Sequence, residues 1–253
     1  RCTHPCMCRR YHEAMSTQTL KLIIHGASGR MGQALLRLAA EADDLQVVAA
    51  VSGRTPAQRV VDGVPQFAAS ELPGLPPFDV AIDFSLPDGV PALAALCAER
   101  RAGLVCGTTG LQPAGEQALA ALAAVAPLVW ASNYSLGVAV LTDLVARAAQ
   151  LLDGWDLDIV ESHHVHKLDA PSGTALSLGK AAQAQGALPR YASLRAGDIV
   201  GEHTVQFAGL GERIELVHRA TNRDIFARGA LLAARRLHGR APGRYSVAAL
   251  LTG

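Results

Sequence analysis

The chain has 253 residues, half of them hydrophobic, 18% charged and 4% aromatic, with 23 basic against 22 acidic side chains for a net charge of +1. That length accommodates one large domain or two modest ones, and the composition excludes global disorder. Near-neutrality excludes the basic field that grips nucleic acid. The longest nearly apolar stretch, residues 118–131, is too short to span a bilayer and is interrupted by Pro127.

Residues 1–14 are unlike the rest. They hold three of the five cysteines (Cys2, Cys6, Cys8) and two histidines, His4 and His12, with no apolar h-region behind the basic residues. Two readings compete, a small metal site and a non-native or disordered extension ahead of a start at Met15. The absence of a second ligand pair at zinc-finger spacing favours the extension. Without it the net charge becomes −1 and only Cys97 and Cys106 remain, as in a protein of the reducing cytoplasm.

From residue 20 onward strand and helix patterns alternate. Residues 20–25 form a short apolar run ending in glycine, and residues 30–41 carry Met31, Leu35, Leu36 and Leu38 at helical spacing. Strands are expected at 45–51, 78–84, 104–106 and 128–131, with helices at 91–101 and 115–124. This alternation predicts a Rossmann-like α/β unit, a parallel sheet with helices on both faces.

After Asn133 the pattern changes to α+β. A long helix is expected over 138–152, with Leu141, Leu144, Val145, Ala148, Leu151 and Leu152 on one face. A strand follows at 155–161 and a helix at 175–185. Segments 200–207 and 213–219 flank Gly209 and Gly211 and read as an antiparallel hairpin. A helix at 225–237 and a short strand at 245–251 close the chain. The expected division is a dinucleotide-binding domain of residues 15–133 and 224–253, and a substrate-binding and oligomerisation domain of residues 134–223.

The first strand runs into Gly26-Ala27-Ser28-Gly29-Arg30-Met31-Gly32, a GxxGxxG form of the dinucleotide fingerprint. Glycines there permit the tight turn, the close approach of a pyrophosphate and close packing of helix on sheet, and the helix start offers free N–H groups to phosphates. About 20 residues on, an acid normally holds the ribose hydroxyls of NAD. Here the second strand ends in Ser52-Gly53-Arg54, and Arg54 or Arg30 can meet a 2′-phosphate, so NADPH is favoured over NADH.

The densest chemistry lies in residues 161–174. His163, His164, His166 and Lys167 fall within five residues, joining groups that deliver a proton near neutral pH to one that stabilises negative charge. Pro171-Ser172-Gly173-Thr174 then opens a helix, with Ser172 a natural N-cap whose following N–H groups suit an anion. A zinc site built from the three histidines has neither cysteine nor HExxH spacing behind it, so no metal is expected.

Residues 161–175 resemble the E-x-H-H-x-x-K-x-D-A-P-S-G-T-A signature of the dihydrodipicolinate (4-hydroxy-tetrahydrodipicolinate) reductase family, and Gly26–Gly32 is similar to its glycine loop. Ile82-Asp83-Phe84-Ser85, Gly107-Thr108-Thr109-Gly110, Ser132-Asn133-Tyr134-Ser135 and residues 195–203 also resemble family blocks, in the family's order. The resemblance spans residues 20–251.

It implies an NAD(P)H-dependent reductase of lysine and diaminopimelate biosynthesis, acting on a small dicarboxylate and assembled as a homotetramer. It implies His163 as proton donor/acceptor, Lys167 as its catalytic partner, and His164, Ser172, Gly173 and Thr174 as the hold on substrate carboxylates. Gly26, Ala27, Ser28, Gly29, Arg30, Met31, Phe84, Gly107, Thr108, Thr109, Ala131, Ser132, Asn133 and Tyr134 would line the cofactor. His166 is expected to stand outside the chemistry, and Asp169 to brace Lys167 or cap the loop rather than act as a base.

Several departures accompany the resemblance: Ser52 replaces an acid, Tyr134 replaces a common Phe, and two loops, after Ser52 and at 186–193, are short. Two other readings remain, a related dehydrogenase acting on an amino acid such as aspartate, and a non-catalytic nucleotide-sensing module. The first would lack the His-His-Lys segment, and the second would bind cofactor without turnover.

Overall fold

A computed structural model describes residues 19–251. The cluster of Cys2, His4, Cys6, Cys8 and His12 lies outside the described residues. The chain runs β1 (Leu20–His25), α1 (Arg30–Ala40), β2 (Leu45–Ser52), β3 (Val60–Val61), β4 (Val64–Ala68), β5 (Val80–Asp83), α2 (Val90–Arg100), β6 (Gly103–Cys106), α3 (Pro113–Ala123) and β7 (Pro127–Trp130). It continues through α4 (Leu136–Leu151), β8 (Asp156–His163), α5 (Gly173–Gln183), β9 (Pro189–Arg195), β10 (Gly201–Gly209), β11 (Glu212–Ala220), α6 (Asp224–Leu237), β12 (Gly243–Tyr245) and α7 (Val247–Leu251).

The first sheet has the order β12-β7-β6-β5-β1-β2-β4-β3 and is parallel except for the small β3–β4 pair. Its central strand β1 is apolar on both faces, as a strand covered on both sides must be. Leu22 and Ile24 pack with Leu35, Leu38, Ala230 and Ala234 of α1 and α6, while Ile23 packs with Leu93 and Cys97 of α2 on the far face. Chain order reverses between β1 and β5, so the crevice beyond their C-terminal ends is the place where an open α/β sheet takes a ligand.

Helix α6 returns to this sheet after the second one is complete. It is fastened by Arg235 to Asp44 (2.6 and 2.8 Å) and by Asp224 to Arg37 (2.7 Å). The second sheet has the order β11-β10-β8-β9, antiparallel except between β8 and β9. Helices α4 and α5 cover one face, Leu141, Val145 and Leu178 clustering with Ile159, Val205 and Phe207 of the sheet.

Three sequence expectations are corrected. No strand occupies 245–251: β12 ends at Tyr245, and Ser246 accepts the Ala249 N–H through Oγ (3.1 Å) and the Leu250 N–H through its carbonyl (3.2 Å), turning the chain into α7. On α4, Leu144 and Leu151 are exposed, because the buried arc runs through Val138, Leu141, Val145 and Ala149. The short loops after Ser52 and at 186–193 contain strands, the β3–β4 pair and β9. These lack the apolar alternation that marks a strand, being held by pairing at a sheet edge.

Beneath the crevice lies a buried polar cluster. Asp83 accepts from His25 Nδ1 (2.7 Å), Thr108 Oγ1 (2.6 Å) and Cys106 Sγ (3.4 Å), joining the ends of β1, β5 and β6. Burial opposes the charge on Asp83, but His25, Thr108 and Ser85 overcome it and hold the carboxyl below its usual range. Burial pushes the Cys106 thiol up, so it is an inert core group. Asp83→Ala strands His25 and Thr108 without their acceptor and is expected to cost about 3 kcal/mol in denaturant unfolding. A loss under about 1 kcal/mol would contradict that role.

Candidate active site

The inward face of β8 reads Leu157, Ile159, Glu161, His163, and that of β10 reads Phe207, Val205, His203, Gly201. Strand register places these in pairs, Leu157 with Phe207, Ile159 with Val205, Glu161 with His203. The face is therefore apolar under α4 and α5 and turns polar at one end. The site is that polar end.

Glu161 is fully buried. Its Oε2 accepts from His163 Nδ1 and from Arg195 Nη1 (3.0 Å), and its Oε1 accepts from Arg195 Nη2 (2.8 Å) and the Ser172 N–H (3.2 Å). Burial opposes its ionisation, yet the hydrogen bonds from Arg195, Ser193 and His163 hold it down at about 2. An ionised carboxylate only accepts, so His163 carries its proton on Nδ1 and titrates at Nε2. Opposite Nε2 stands Gly201, where a Cβ would sit 3.0 Å away, and glycine keeps that nitrogen clear. Burial pushes the His163 pKa below the ordinary imidazole range, against the pull of Glu161 and with the help of the Lys167 and Arg195 charges.

The segment after β8 is folded back on this centre. Lys167 Nζ pairs with Asp169 (2.8 Å), as expected of a brace, and Arg195 Nη2 donates to the Asp169 carbonyl (2.7 Å). Ser172 caps α5, its Oγ accepting from the Ala175 N–H (3.2 Å) and bonded to His203 Nε2 (3.1 Å). Gly173 opens the helix with nothing within 4 Å of where a Cβ would stand. Thr174 Oγ1 accepts from Asn133 Nδ2 (3.0 Å), tying this helix start to the crossover from the first sheet. His164 Nδ1 is buried without a partner, and its ring lies 6.2 Å from that of His166. His163 instead faces His203, with ring centroids 5.2 Å apart. Among the described residues no three of His, Cys, Asp or Glu are placed to hold a metal ion.

At the crevice of the first sheet, Gly26 adopts φ +82°, and a Cβ there would lie 2.4 Å from the Phe84 carbonyl; one at Gly32 would lie 2.3 Å from the Gly26 carbonyl. Glycine alone allows this cradle. Helix α1 has Gly29 at its N-cap and no side-chain cap, leaving its first N–H groups to a ligand. A cleft of about 830 Å³ adjoins it, lined by Gly26, Ser28, Gly29, Arg54 and Phe84, with His25 at its floor. A neighbouring cleft of about 330 Å³ is lined by Gly29, Arg30, Met31, Phe84, Gly107 and Thr109, with Thr108. Cradle, uncapped helix and cleft fit a dinucleotide.

The other residues expected at the cofactor are placed differently. Ala27 is buried under the loop, and the Thr108 hydroxyl points down to Asp83. Ala131, Ser132 and Asn133 line a separate cleft of about 600 Å³ facing α4, α5 and α7. Tyr134 is buried, its hydroxyl donating to the carbonyls of Cys106 (2.8 Å) and Val129 (3.2 Å), its ring edge-on to Phe84 at 5.8 Å. It supports the site from beneath.

Sequence reasoning missed Glu161, Arg195 and His203 as site groups. One signal for Glu161 is present: residues i and i+2 of a strand share a face, so Glu161 must point the way His163 points. Arg195 gives no such signal, since only the β8–β9 register brings it near.

Comparisons with known proteins follow the same lines. A family model described as dihydrodipicolinate reductase, N-terminus, matches residues 20–134, and one described as dihydrodipicolinate reductase, C-terminus, matches residues 137–251. The chain is 75% identical over 238 residues to a 4-hydroxy-tetrahydrodipicolinate reductase of Stenotrophomonas maltophilia, covering 94% of this chain and 100% of that protein. It is 65% identical to one of Xylella fastidiosa, covering 92% and 98%. In fold it is similar to the dipicolinate-bound dihydrodipicolinate reductase from Paenisporosarcina, with TM-score 0.76 and 23% identity over 90% of this chain and 97% of that one.

His203 yields a stability prediction. Burial, with the charges of His163 and His218, brings its pKa down to about 4. It folds neutral, so its contribution is whole above the unfolded value of about 6.5 and is lost as the pH falls towards 4, on the order of 3 kcal/mol. The melting temperature is expected to drop between pH 7 and 4.5, and less steeply in His203→Gln. An equal drop in the variant would contradict the assignment.

Proposed function

Because the chain belongs to the dihydrodipicolinate reductase family, we propose how its own residues carry out that family's reduction. It is an NAD(P)H-dependent oxidoreductase that converts 4-hydroxy-tetrahydrodipicolinate to tetrahydrodipicolinate in lysine and diaminopimelate biosynthesis. The observation that carries the residue assignment is the Glu161–His163 pair beside Lys167 and the capped start of α5.

The nicotinamide, when bound, supplies a hydride to the conjugated cyclic imine that the substrate becomes on losing its 4-hydroxyl as water. Gly26, Ser28, Gly29, Arg30 and Met31 would hold its pyrophosphate end, with Arg54 in reach of a 2′-phosphate, Phe84, Gly107, Thr108 and Thr109 along its course, and Tyr134 behind Phe84. NADPH is the preferred form, since no acid stands at Ser52. The N–H groups of Gly173 and Thr174, with Ser172 and His164, take the substrate carboxylates. Lys167 exchanges the exposed Asp169 for substrate and stabilises negative charge as it develops on the ring. His163, fixed through Nδ1, gives the proton from Nε2. The Asn133–Thr174 hydrogen bond joins the cofactor side to the substrate side, so closure over one ligand organises the other.

The domain division proposed is that of the two sheets, residues 15–133 with 224–253 and residues 134–223. Edge strand β11 exposes Ile214 and Val217, and α4 exposes Leu136, Val140 and Leu144. These surfaces support a homotetramer built through the second sheet. Among the described residues no helix is long and apolar enough to cross a membrane, and the proposed compartment is the cytoplasm. The family match and the intact His-His-Lys segment favour the reductase over an aspartate dehydrogenase-like enzyme or a sensing module.

The test couples the protein to a dipicolinate-pathway synthase fed pyruvate and aspartate semialdehyde, comparing NADPH with NADH. Synthase-dependent oxidation, faster with NADPH, is expected, and His163→Gln and Lys167→Ala should each cut turnover more than about tenfold. No synthase-dependent oxidation would contradict the reaction. Near-normal turnover in either variant would contradict that residue's role.

A further inference from the structure

Arg195, which opens the block at 195–203, has no part in the reduction so far, yet it meets Glu161, which opens the His-His segment. Glu161 and Arg195 are 34 residues apart and form two parallel N–H···O bonds. From this pair bonds run to each part of the site. Glu161 holds His163 Nδ1 and the N–H of Ser172, the residue that caps α5. Arg195 holds the carbonyl of Asp169, whose carboxylate holds Lys167. The proton donor, the lysine loop and the carboxylate-binding helix start thus hang on one ion pair whose carboxylate is buried.

We propose that Glu161 and Arg195 are positioning residues of the reduction: Glu161 fixes the His163 ring with Nδ1 bonded to its carboxylate and Nε2 turned to the substrate, and Arg195 anchors the Glu161 carboxylate through two hydrogen bonds while pinning the Lys167 loop. This rests on the reading of His163 as proton donor. The groups that face His163 are Glu161 on its own strand, Arg195 from β9, His203 from β10 and Lys167 from the loop. Of these only Glu161 is negative, and it favours the protonated imidazole, while Arg195 and Lys167 oppose it. The two members of the pair therefore push His163 in opposite directions.

The test measures kcat against pH, from 5 to 9, with NADPH and excess synthase, for the wild type, Glu161→Gln, Arg195→Gln and His163→Gln. The active form is His163 protonated, so the alkaline limb reports its titration. Glu161→Gln is expected to move that limb down by at least about half a pH unit and to lower kcat about tenfold or more at pH 7.5, with KM for NADPH within about twofold. Arg195→Gln should move the limb up and raise KM for the dicarboxylate severalfold, because Asp169 is freed. It also stands as the second variant if Glu161→Gln does not fold. Limbs that stay in place, or move in the same direction, would overturn the proposal. His163→Gln separates the two levels: near-normal turnover there refutes the proton-donor reading itself, whereas its inactivity with unmoved limbs in the other variants refutes only the positioning role.

Discussion

A carboxylate sealed from water is costly to keep charged, and the second sheet is arranged so that Glu161 stays charged. Arg195 supplies a bidentate partner, His163 a ring N–H and Ser172 a backbone N–H, so both oxygens are occupied. Each donor arrives from a different place: β9, the next inward position of β8, and the start of α5. Satisfying one buried charge therefore fixes the relative positions of a proton donor, an anion-binding helix start and the loop carrying Lys167. A smaller apolar residue at this position would pack, but it would leave those three parts without a common reference.

The first sheet meets a parallel requirement with different means. Its ligand crevice is set by strand order and by the cradle at Gly26 and Gly32, where backbone approaches backbone. Under it, Asp83 gathers His25, Thr108 and Cys106 from the ends of neighbouring strands. Both halves thus place one buried carboxylate at the polar end of an otherwise apolar layer. The direct link between them at the site is small, the hydrogen bond from Asn133 to Thr174. Larger contacts, such as those of Arg235 and Asp224 on α6, return the chain to the first sheet from behind.

Much of this is legible in the sequence where the signal is local. The βα alternation, the glycine loop, the hairpin around Gly209 and Gly211, and the His-Lys segment are all read from spacings within a single element or turn. What escapes depends on partners distant in sequence. Strand β9 has no apolar alternation and exists by pairing with β8, so Arg195 and its contact with Glu161 are invisible before that register is known. Tyr134 looks like a cofactor contact and proves to be a buried prop, because two carbonyls reach its hydroxyl from β6 and β7. Leu144 and Leu151 fit an apolar stripe by counting, yet the layer that α4 packs on is narrower than the stripe, and they are left at the surface. The end of the chain turns helical because of Ser246, a cap whose weight is seen only once β12 is known to stop at Tyr245.

The central claim is that a buried, ionised Glu161 dictates which nitrogen of His163 is free to give a proton. Nitrogen-15 chemical shifts of His163, assigned by comparison with His163→Gln and followed through a pH titration, test it most directly. The account predicts Nδ1 protonated throughout, with Nε2 the nitrogen that gains and loses the proton. A neutral His163 carrying its proton on Nε2, with Nδ1 titrating, would contradict it.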